Sequence, residues 1–235
     1  MQAGLAQKDK EKNQQSTNKL IELVECDLEY QGLRVLNNIS LTVSSGEKIA
    51  ILGKSGVGKS TLLKHLRSLL PKEIAWCPQI NGLVPTLSVY NNVYSGGLER
   101  FGFAANLLNL IYPNPRAKKE ILKLISPLQL EEQLWQSVDQ LSGGQKQRVA
   151  VARALFQNKK ILVADEPVSA LDESQGASVL NLLSLRHETM IIALHDVQQA
   201  KISCDRVIGL ANNAILFDCP SPELDDELLK RLYQK

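Results

Sequence analysis

Apolar and polar residues alternate from Leu20 to Tyr30, with Leu20, Glu22, Val24, Cys26, Leu28 and Tyr30 on one side of the run. A period of two is that of a β-strand, and Glu22 is the one charge on this side. Gln31-Gly32 reads as a turn, and a second strand follows around Val35 to Val43. Ser44-Ser45-Gly46-Glu47 then turns the chain into Ile49-Ala50-Ile51-Leu52. That continuous apolar run predicts a strand buried on both faces. The leucine-rich stretch Leu62 to Leu70 predicts a helix that Pro71 ends. Glu73 to Cys77 predicts a short strand running into Pro78-Gln79.

The texture changes from Asn81 to Gln140, where helical periodicity dominates. Leu87 to Val93 predicts a helix entered from a Thr86 or Ser88 cap. Lys118 to Leu128 places Ile121, Leu122, Leu124 and Ile125 on one helical face. Loops are expected at Gly96-Gly97 and at Tyr112-Pro113-Asn114-Pro115. Further on, Lys159 to Pro167 predicts a buried strand ending in two acids, and Val179 to Leu185 a helix. Met190 to Leu194 predicts another buried strand, ending in His195-Asp196. Arg206 to Leu210 and Ala214 to Phe217 predict a hairpin across Asn212-Asn213, and Ser221 to Tyr233 a short helix. The fold class expected is α/β: a mostly parallel sheet, a small N-terminal antiparallel β layer and an inserted helical subdomain at about residues 81–155. The polar stretch 1–19 predicts a disordered tail, leaving 20–235 as the domain.

Composition narrows the classes. The chain has 235 residues, 44% hydrophobic and 22% charged, enough for one sizeable core. A net charge of +2 gives no electrostatic case for nucleic acid. No run reaches the roughly eighteen apolar residues of a membrane span, and no signal-peptide pattern opens the chain. A cytosolic protein is expected, with any membrane link made through a partner. Cys26, Cys77, Cys204 and Cys219 form no C-x-x-C pair, which reads as free thiols.

The candidate chemistry is concentrated at Gly53-Lys54-Ser55-Gly56-Val57-Gly58-Lys59-Ser60-Thr61. It is a G-x-x-x-x-G-K-S loop between a strand and a helix, the context in which backbone N–H groups cradle phosphates. Lys59 would reach the β- and γ-phosphates, and the Ser60 hydroxyl would ligate Mg²⁺. Asp165 and Glu166 end a strand, where one acid can order Mg²⁺ and its neighbour can activate water. His195 ends another strand and could donate to a γ-phosphate oxygen. The Gln79 amide oxygen could reach Mg²⁺ or the attacking water. Ser142-Gly143-Gly144-Gln145 caps an Ala-rich helix, either an ordinary N-cap or a second anion-binding terminus. Tyr30 could stack on a nucleotide base or be a half-buried strand tyrosine.

Taken in order, Tyr30, the phosphate loop, Gln79, Leu141-Ser142-Gly143-Gly144-Gln145, Asp165-Glu166, Ser169-Ala170-Leu171-Asp172 and His195 resemble the nucleotide-binding subunit of ABC transporters. The resemblance covers about residues 20–232. It implies that Tyr30 stacks on adenine and that Lys59 and the loop amides hold the phosphates. Ser60, Gln79 and Asp165 would organise Mg²⁺, Glu166 would be the general base, and His195 would contact the γ-phosphate. Ser142 through Gln145, with Asp172, would complete the ATP site of a second copy in a head-to-tail dimer. The implied partners are transmembrane permease subunits at the cytoplasmic face of the inner membrane. Behind them stands a periplasmic or lipid-anchored substrate-binding protein.

The stretch Asn81 to Val93 is similar to phosphonate-importer ATPases, as are Gly96 to Gly102, Leu110 to Pro113, Ala164 to Asp172, Leu194 to Ala200 and Asp205 to Leu210 before Ile215-Leu216-Phe217-Asp218. That similarity implies import of phosphonate or a related oxyanion such as phosphite or phosphate. The alternatives are the ATPase of another import or export system, lipoprotein release included, and a soluble non-transport ABC ATPase. Tandem nucleotide domains or long coiled-coil insertions would mark the last, and neither is present. The chain departs from the family pattern between Lys59 and Gln79, where Pro71-Lys72-Glu73 replaces a longer hairpin segment and predicts a trimmed β layer. Ala211 to Ala214 replaces the usual Gly-Arg or Gly-Lys turn.

Overall fold

The computed structural model describes residues 19–79 and 82–234. The predicted tail up to residue 18, and Asn81 at the start of the predicted insert, lie outside them. The fold is α/β. Strands β1 (Lys19–Tyr30) and β2 (Leu33–Ser44) form a two-stranded antiparallel sheet. Six more strands form the main sheet: β3 (Lys48–Gly53), β4 (Ile74–Cys77), β5 (Ile161–Asp165), β6 (Thr189–Ala193), β7 (Arg206–Ala211) and β8 (Ala214–Pro220). Their order is β4-β5-β6-β3-β7-β8, parallel except for β8 at one edge.

β3 lies between β6 and β7, and its alternation serves two cores. Ala50 and Leu52 face one core with Leu162, Ala164, Met190 and Ile192. Ile49 and Ile51 face the other with Val163, Ile191, Ile208 and Leu210. The second core also takes Leu62, Leu63 and Leu66 of helix α1 (Lys59–Leu69) and Leu36, Ile39, Leu41 and Val43 of β2. Strands buried on both sides read as unbroken apolar runs, and each fully buried Ile or Leu contributes about 2 kcal/mol.

β1 corrects the predicted face. Ile21 and Leu23 are buried while Val24 is exposed; Leu28 is buried, Cys26 half-buried, and Tyr30 exposed. The side changes at Glu25, whose φ of 49° places it in the left-handed region. The pairing with β2 shifts there, between Leu23 and Cys26, and the Glu25 N–H donates to Ser40 Oγ at 3.0 Å. One extra residue in a bulge moves all later side chains to the opposite face.

The helical region contains α2 (Val89–Ser95), α3 (Phe103–Asn109), α4 (Pro115–Ile125) and α5 (Gly143–Phe156). Of the two predicted caps for α2, Ser88 serves: its Oγ accepts from the Asn91 N–H at 3.2 Å. α4 begins three residues before the predicted start. Asn114 Oδ1 accepts from the Arg116 and Ala117 N–H groups, and Pro115 occupies the first helical position, where a missing N–H costs nothing. α3 is polar inside and apolar outside. Buried Asn109 accepts from Tyr90 Oη at 2.6 Å, and Asn106 accepts from Tyr94 Oη at 3.0 Å. Phe103, Leu107 and Leu108 point outward, and Leu110, Ile111 and Tyr112 extend the exposed apolar surface.

Three helices complete the chain: α6 (Glu173–Arg186), α7 (Val197–Ser203) and α8 (Asp226–Tyr233). α6 starts six residues before Val179 because Asp172 Oδ1 caps it, accepting from the Gln175 N–H at 2.9 Å. α8 is shorter than predicted, since Ser221–Glu223 form a separate 3₁₀ turn. The predicted β7–β8 hairpin is present. Asn212 and Asn213 both have positive φ, 50° and 63°, as a tight hairpin turn requires. Residues 70–73 carry the chain directly from α1 to β4, with no strand between.

Gly96 fixes the approach of α2 to α5. A Cβ there would lie 2.3 Å from the Arg153 carbonyl oxygen, a backbone atom that cannot rotate away. Gly96→Ala is expected to destabilise the fold by about 2 kcal/mol through forced separation of the two helices. Urea unfolding checks this: the midpoint falls while the slope stays unchanged.

Candidate active site

The loop after β3 is shaped by its glycines. Gly53, Gly56 and Gly58 have φ of 151°, 79° and 111°. A Cβ on Gly53 would sit 2.6 Å from the Leu210 carbonyl oxygen, and one on Gly58 would sit 2.8 Å from the Leu36 side chain. At Gly53 and Gly58 packing and backbone conformation both disfavour a side chain, while at Gly56 conformation alone does. Lys59, the first residue of α1, is buried and donates from Nζ to the Gly53 carbonyl at 2.8 Å and the Lys54 carbonyl at 3.2 Å. Burial lowers its pKa, opposed by the charges of Glu166 and Asp165. Lys54 turns away and donates to the Gln234 carbonyl.

β5 ends at Asp165, opposite the loop. The Asp165 carboxylate is buried, hydrogen-bonds Ser60, and keeps Oδ1 without a partner. Burial raises its pKa; the Ser60 hydrogen bond and nearby Lys59 and Lys64 oppose this, while Glu166 adds to it. An orphaned buried carboxylate oxygen is costly, and it suits an oxygen ligand to a hard cation. Ser60, Gln79 and Asp165 line one cavity of about 320 Å³, giving hydroxyl, amide and carboxylate oxygens of the kind Mg²⁺ takes. The residues present fit the ion.

Glu166 is held on every side. Its φ of 51° is in the left-handed region, at a cost of about 1 kcal/mol, and its N–H donates to the Ala193 carbonyl at 3.1 Å. His195 Nε2 lies 2.5 Å from Oε1, Gln79 Nε2 donates to Oε2 at 2.8 Å, and Lys59 Nζ is 3.9 Å from Oε1. Three of the residues singled out from sequence thus converge on a fourth. His195 follows β6 and is about half exposed, so it joins the buried carboxylate to the surface. Tyr30 stands at the end of β1, 48% exposed, with the Lys64 ammonium 5.0 Å from its ring centre. It shares a cavity of about 220 Å³ with Ser55, Gly56, Lys59, Thr61 and Glu166. Tyr30 therefore stands at the rim of that cavity and is not packed as a half-buried strand residue.

The structure does not bring Ser142 through Gln145 to the phosphate loop of the same chain. They line no part of that cavity. Ser142 and Gln145 form a capping box: Ser142 Oγ accepts from the Gln145 N–H at 3.2 Å, and Gln145 Oε1 accepts from the Ser142 N–H at 2.9 Å. Ser142 and Gly143 are exposed, and a Cβ on Gly143 would meet nothing within 4 Å. Asp172, also absent from the cavity, caps α6.

One residue was not found from sequence. Gln147, buried on α5, donates from Nε2 to the Glu166 carbonyl at 2.8 Å and to Ser169 Oγ at 3.1 Å. Its Oε1 accepts from the Ala170 N–H at 2.6 Å. A polar residue in the apolar stripe of a helix was the available signal, but its partners are about twenty positions away.

Comparison with known proteins identifies the relatives of this chain. The family model described as "ABC transporter" matches residues 36–71 and 66–169. A "Phosphonates import ATP-binding protein PhnC" of Pseudomonas putida is 35% identical over 93% of this chain and 91% of its own length. A "Phosphite import ATP-binding protein PxtA" of Stutzerimonas stutzeri is 36% identical over 86% of this chain and 82% of its own. Among solved structures, a dimeric ATP-binding cassette in a post-hydrolysis state, bound to ADP and Pi, superposes with a TM-score of 0.70. It is 26% identical, over 86% of this chain and 99% of that one.

The buried Asp165 charge makes a prediction about stability. A carboxyl whose pKa is raised in the fold destabilises it at neutral pH, and the penalty shrinks as pH falls below the raised value and is gone below the ordinary carboxyl range. Asp165→Asn is expected to melt a few degrees above the parent without nucleotide near neutral pH. The gap should close on acidification, and the stabilisation by Mg²⁺–ATP should shrink. Thermal melts across pH, with and without Mg²⁺–ATP, check all three.

Proposed function

We infer a transport role from one premise: the chain belongs to the ABC transporter family and is an ATP-binding, ATP-hydrolysing subunit. The domain is residues 20–235, with residues of about 81–155 forming its helical insert. We read the transported solute as phosphonate or a related phosphorus oxyanion, because relatives named for phosphonate and phosphite import align over most of the chain.

The observation that carries the mechanism is the convergence of His195, Gln79 and Lys59 on Glu166. Glu166 is the general base, accepting a proton from the water that attacks the γ-phosphate. His195 orients that carboxylate and reaches the γ-phosphate oxygen. Lys59 and the N–H groups from Lys54 to Thr61 hold the phosphates, and Tyr30 stacks on adenine. Ser60, Asp165 and Gln79 would hold Mg²⁺, which when bound would offset charge on the phosphate oxygens.

The Ser142-Gly143-Gly144-Gln145 turn, exposed at Ser142 and Gly143 and unused by its own phosphate loop, serves the nucleotide of a second copy, with Asp172 beside it. A solved dimeric cassette bound to ADP and Pi supports pairing of two copies, and the head-to-tail order is our reading of the Ser142 turn. The helix start supplies N–H groups and a positive dipole end for the partner's γ-phosphate. The outward apolar side of α3, with Ile111 and Tyr112, suits a transmembrane permease, since an exposed apolar patch marks a contact surface. Gln79 connects the ATP site to that helical region. A periplasmic or lipid-anchored binding protein would deliver the solute, and the chain would sit at the cytoplasmic face of the inner membrane. No nucleic acid is involved.

Glu166→Gln is expected to lower hydrolysis by about 10²–10⁴-fold while keeping ATP binding, and to accumulate an ATP-bound dimer. Ser142→Arg should lose hydrolysis and that dimer together. Steady-state ATPase and gel filtration with ATP check both, and wild-type turnover in either variant overturns its role. For the solute, the chain should restore growth on phosphonate as sole phosphorus source when expressed with its permease and binding protein in a host lacking its own importer. Growth on phosphite alone would reassign it.

A further inference from the structure

Glu166 has a non-glycine backbone in the left-handed region, and a buried side chain from another element holds it there. That side chain is Gln147. Its amide is used from both ends, donating to the Glu166 carbonyl and the Ser169 hydroxyl and accepting from the Ala170 N–H. The Ser169 hydroxyl also donates to the Glu166 carbonyl, at 3.2 Å. The Glu166 peptide is thus fixed on both sides, by Ala193 through its N–H and by Gln147 through its carbonyl. A backbone strained by its φ persists only where its surroundings determine it fully. Release of one side would let the peptide relax, and the carboxylate would leave His195 and Gln79.

Gln147 also stands one helical turn after Gly143-Gly144 on α5. In that turn Gly144 lies against the same segment: a Cβ on it would be 3.2 Å from the Ala170 carbonyl oxygen. The capped start of α5 and residues 166–170 therefore form one locked unit. α5 carries the Ser142 turn at its exposed end and grips Glu166 at its buried side.

We propose that Gln147 is a positioning residue for hydrolysis, which sets the Glu166 carboxylate by holding its backbone carbonyl and ties it to the Ser142 turn of the same chain. This rests on Glu166 being the base. Seating of the second copy's nucleotide on the Ser142 turn then steadies the chain's own base, so the two sites of a dimer fire in concert. Gln147 lines no part of the phosphate-loop cavity.

The test uses the full chain, dimerised with Mg²⁺–ATP. Gln147→Met keeps the length and volume and removes all three hydrogen bonds. Its kcat should fall about 10–100-fold, the scale of a small misplacement of a reacting group, with ATP affinity within about twofold of the parent. Gln147→Glu adds a pH signature. When protonated, its carboxyl can still donate to the Glu166 carbonyl and accept from Ala170; when ionised, it repels that carbonyl. Its kcat relative to the parent should rise as pH is lowered, which a general loss of packing would not produce. In a Glu166→Gln background, Gln147→Met should cost nothing further. The proposal is overturned if Gln147→Met keeps kcat within about twofold, or if ATP affinity falls in step with kcat. A flat relative pH profile for Gln147→Glu also overturns it, even should the Met variant fail to fold. If Glu166→Gln alone hydrolyses ATP at the parental rate, the base assignment fails, which is a separate result.

Discussion

Everything at this site depends on one buried carboxylate placed by a strained peptide. Glu166 follows the last residue of β5, turns into the left-handed region, and points its two oxygens at His195 and Gln79. An extended residue there would continue the strand and aim its side chain along the sheet normal, into a core. The turn brings it to the ligand edge, over the phosphate loop. Burial of a charge without partners would be prohibitive, and the site answers with His195 and Lys59 at Oε1 and the Gln79 amide at Oε2. Asp165, one residue earlier, lacks such coverage: Oδ1 has no partner, and burial raises its pKa. The two adjacent acids have different environments, one already satisfied by protein groups and the other open to a ligand.

That edge exists because β3, β5 and β6 lie side by side and end together. Asp165 pairs with Ala193 across β5 and β6, while Ile51 pairs with Ala193 across β6 and β3. The phosphate loop, the acid pair and His195 leave the sheet within a few residues of this level. Parallel strands buried on both faces can hold such a register tightly, because slippage by one residue would exchange the two cores. Ile49 and Ile51 would then meet the helical insert, and Ala50 and Leu52 would meet α1.

Much of this was legible before any coordinates. The phosphate loop, the acid pair and His195 depend on a few neighbouring residues at the ends of apolar runs, and the strands appear where those runs are. What sequence could not give was set by distant partners. The β1 face was misjudged because the Glu25 bulge is held by Ser40, fifteen positions away in β2. α6 starts before the predicted helix because its first turns, Glu173 to Ser178, lack an apolar stripe and are held instead by the Asp172 cap. Gln147 was missed for the same reason as Glu25: the groups it serves, from Glu166 to Ala170, are near only in the fold.

α3 shows the same logic with the opposite sign. Its amphipathic pattern is present in Phe103 to Asn109, but reading the apolar side as the buried one would orient it backwards. Asn109 and Asn106 occupy the inner side because Tyr90 and Tyr94 of α2 bring hydroxyls there, and each amide oxygen accepts from one of them. Polar anchoring of this kind leaves the leucines no interior to enter. The apolar face is exposed on the side away from these tyrosine hydroxyls, which accounts for the inward placement of both asparagines. An outward apolar face held by an inward polar one is therefore a stable property of this chain, and it is present before any partner arrives.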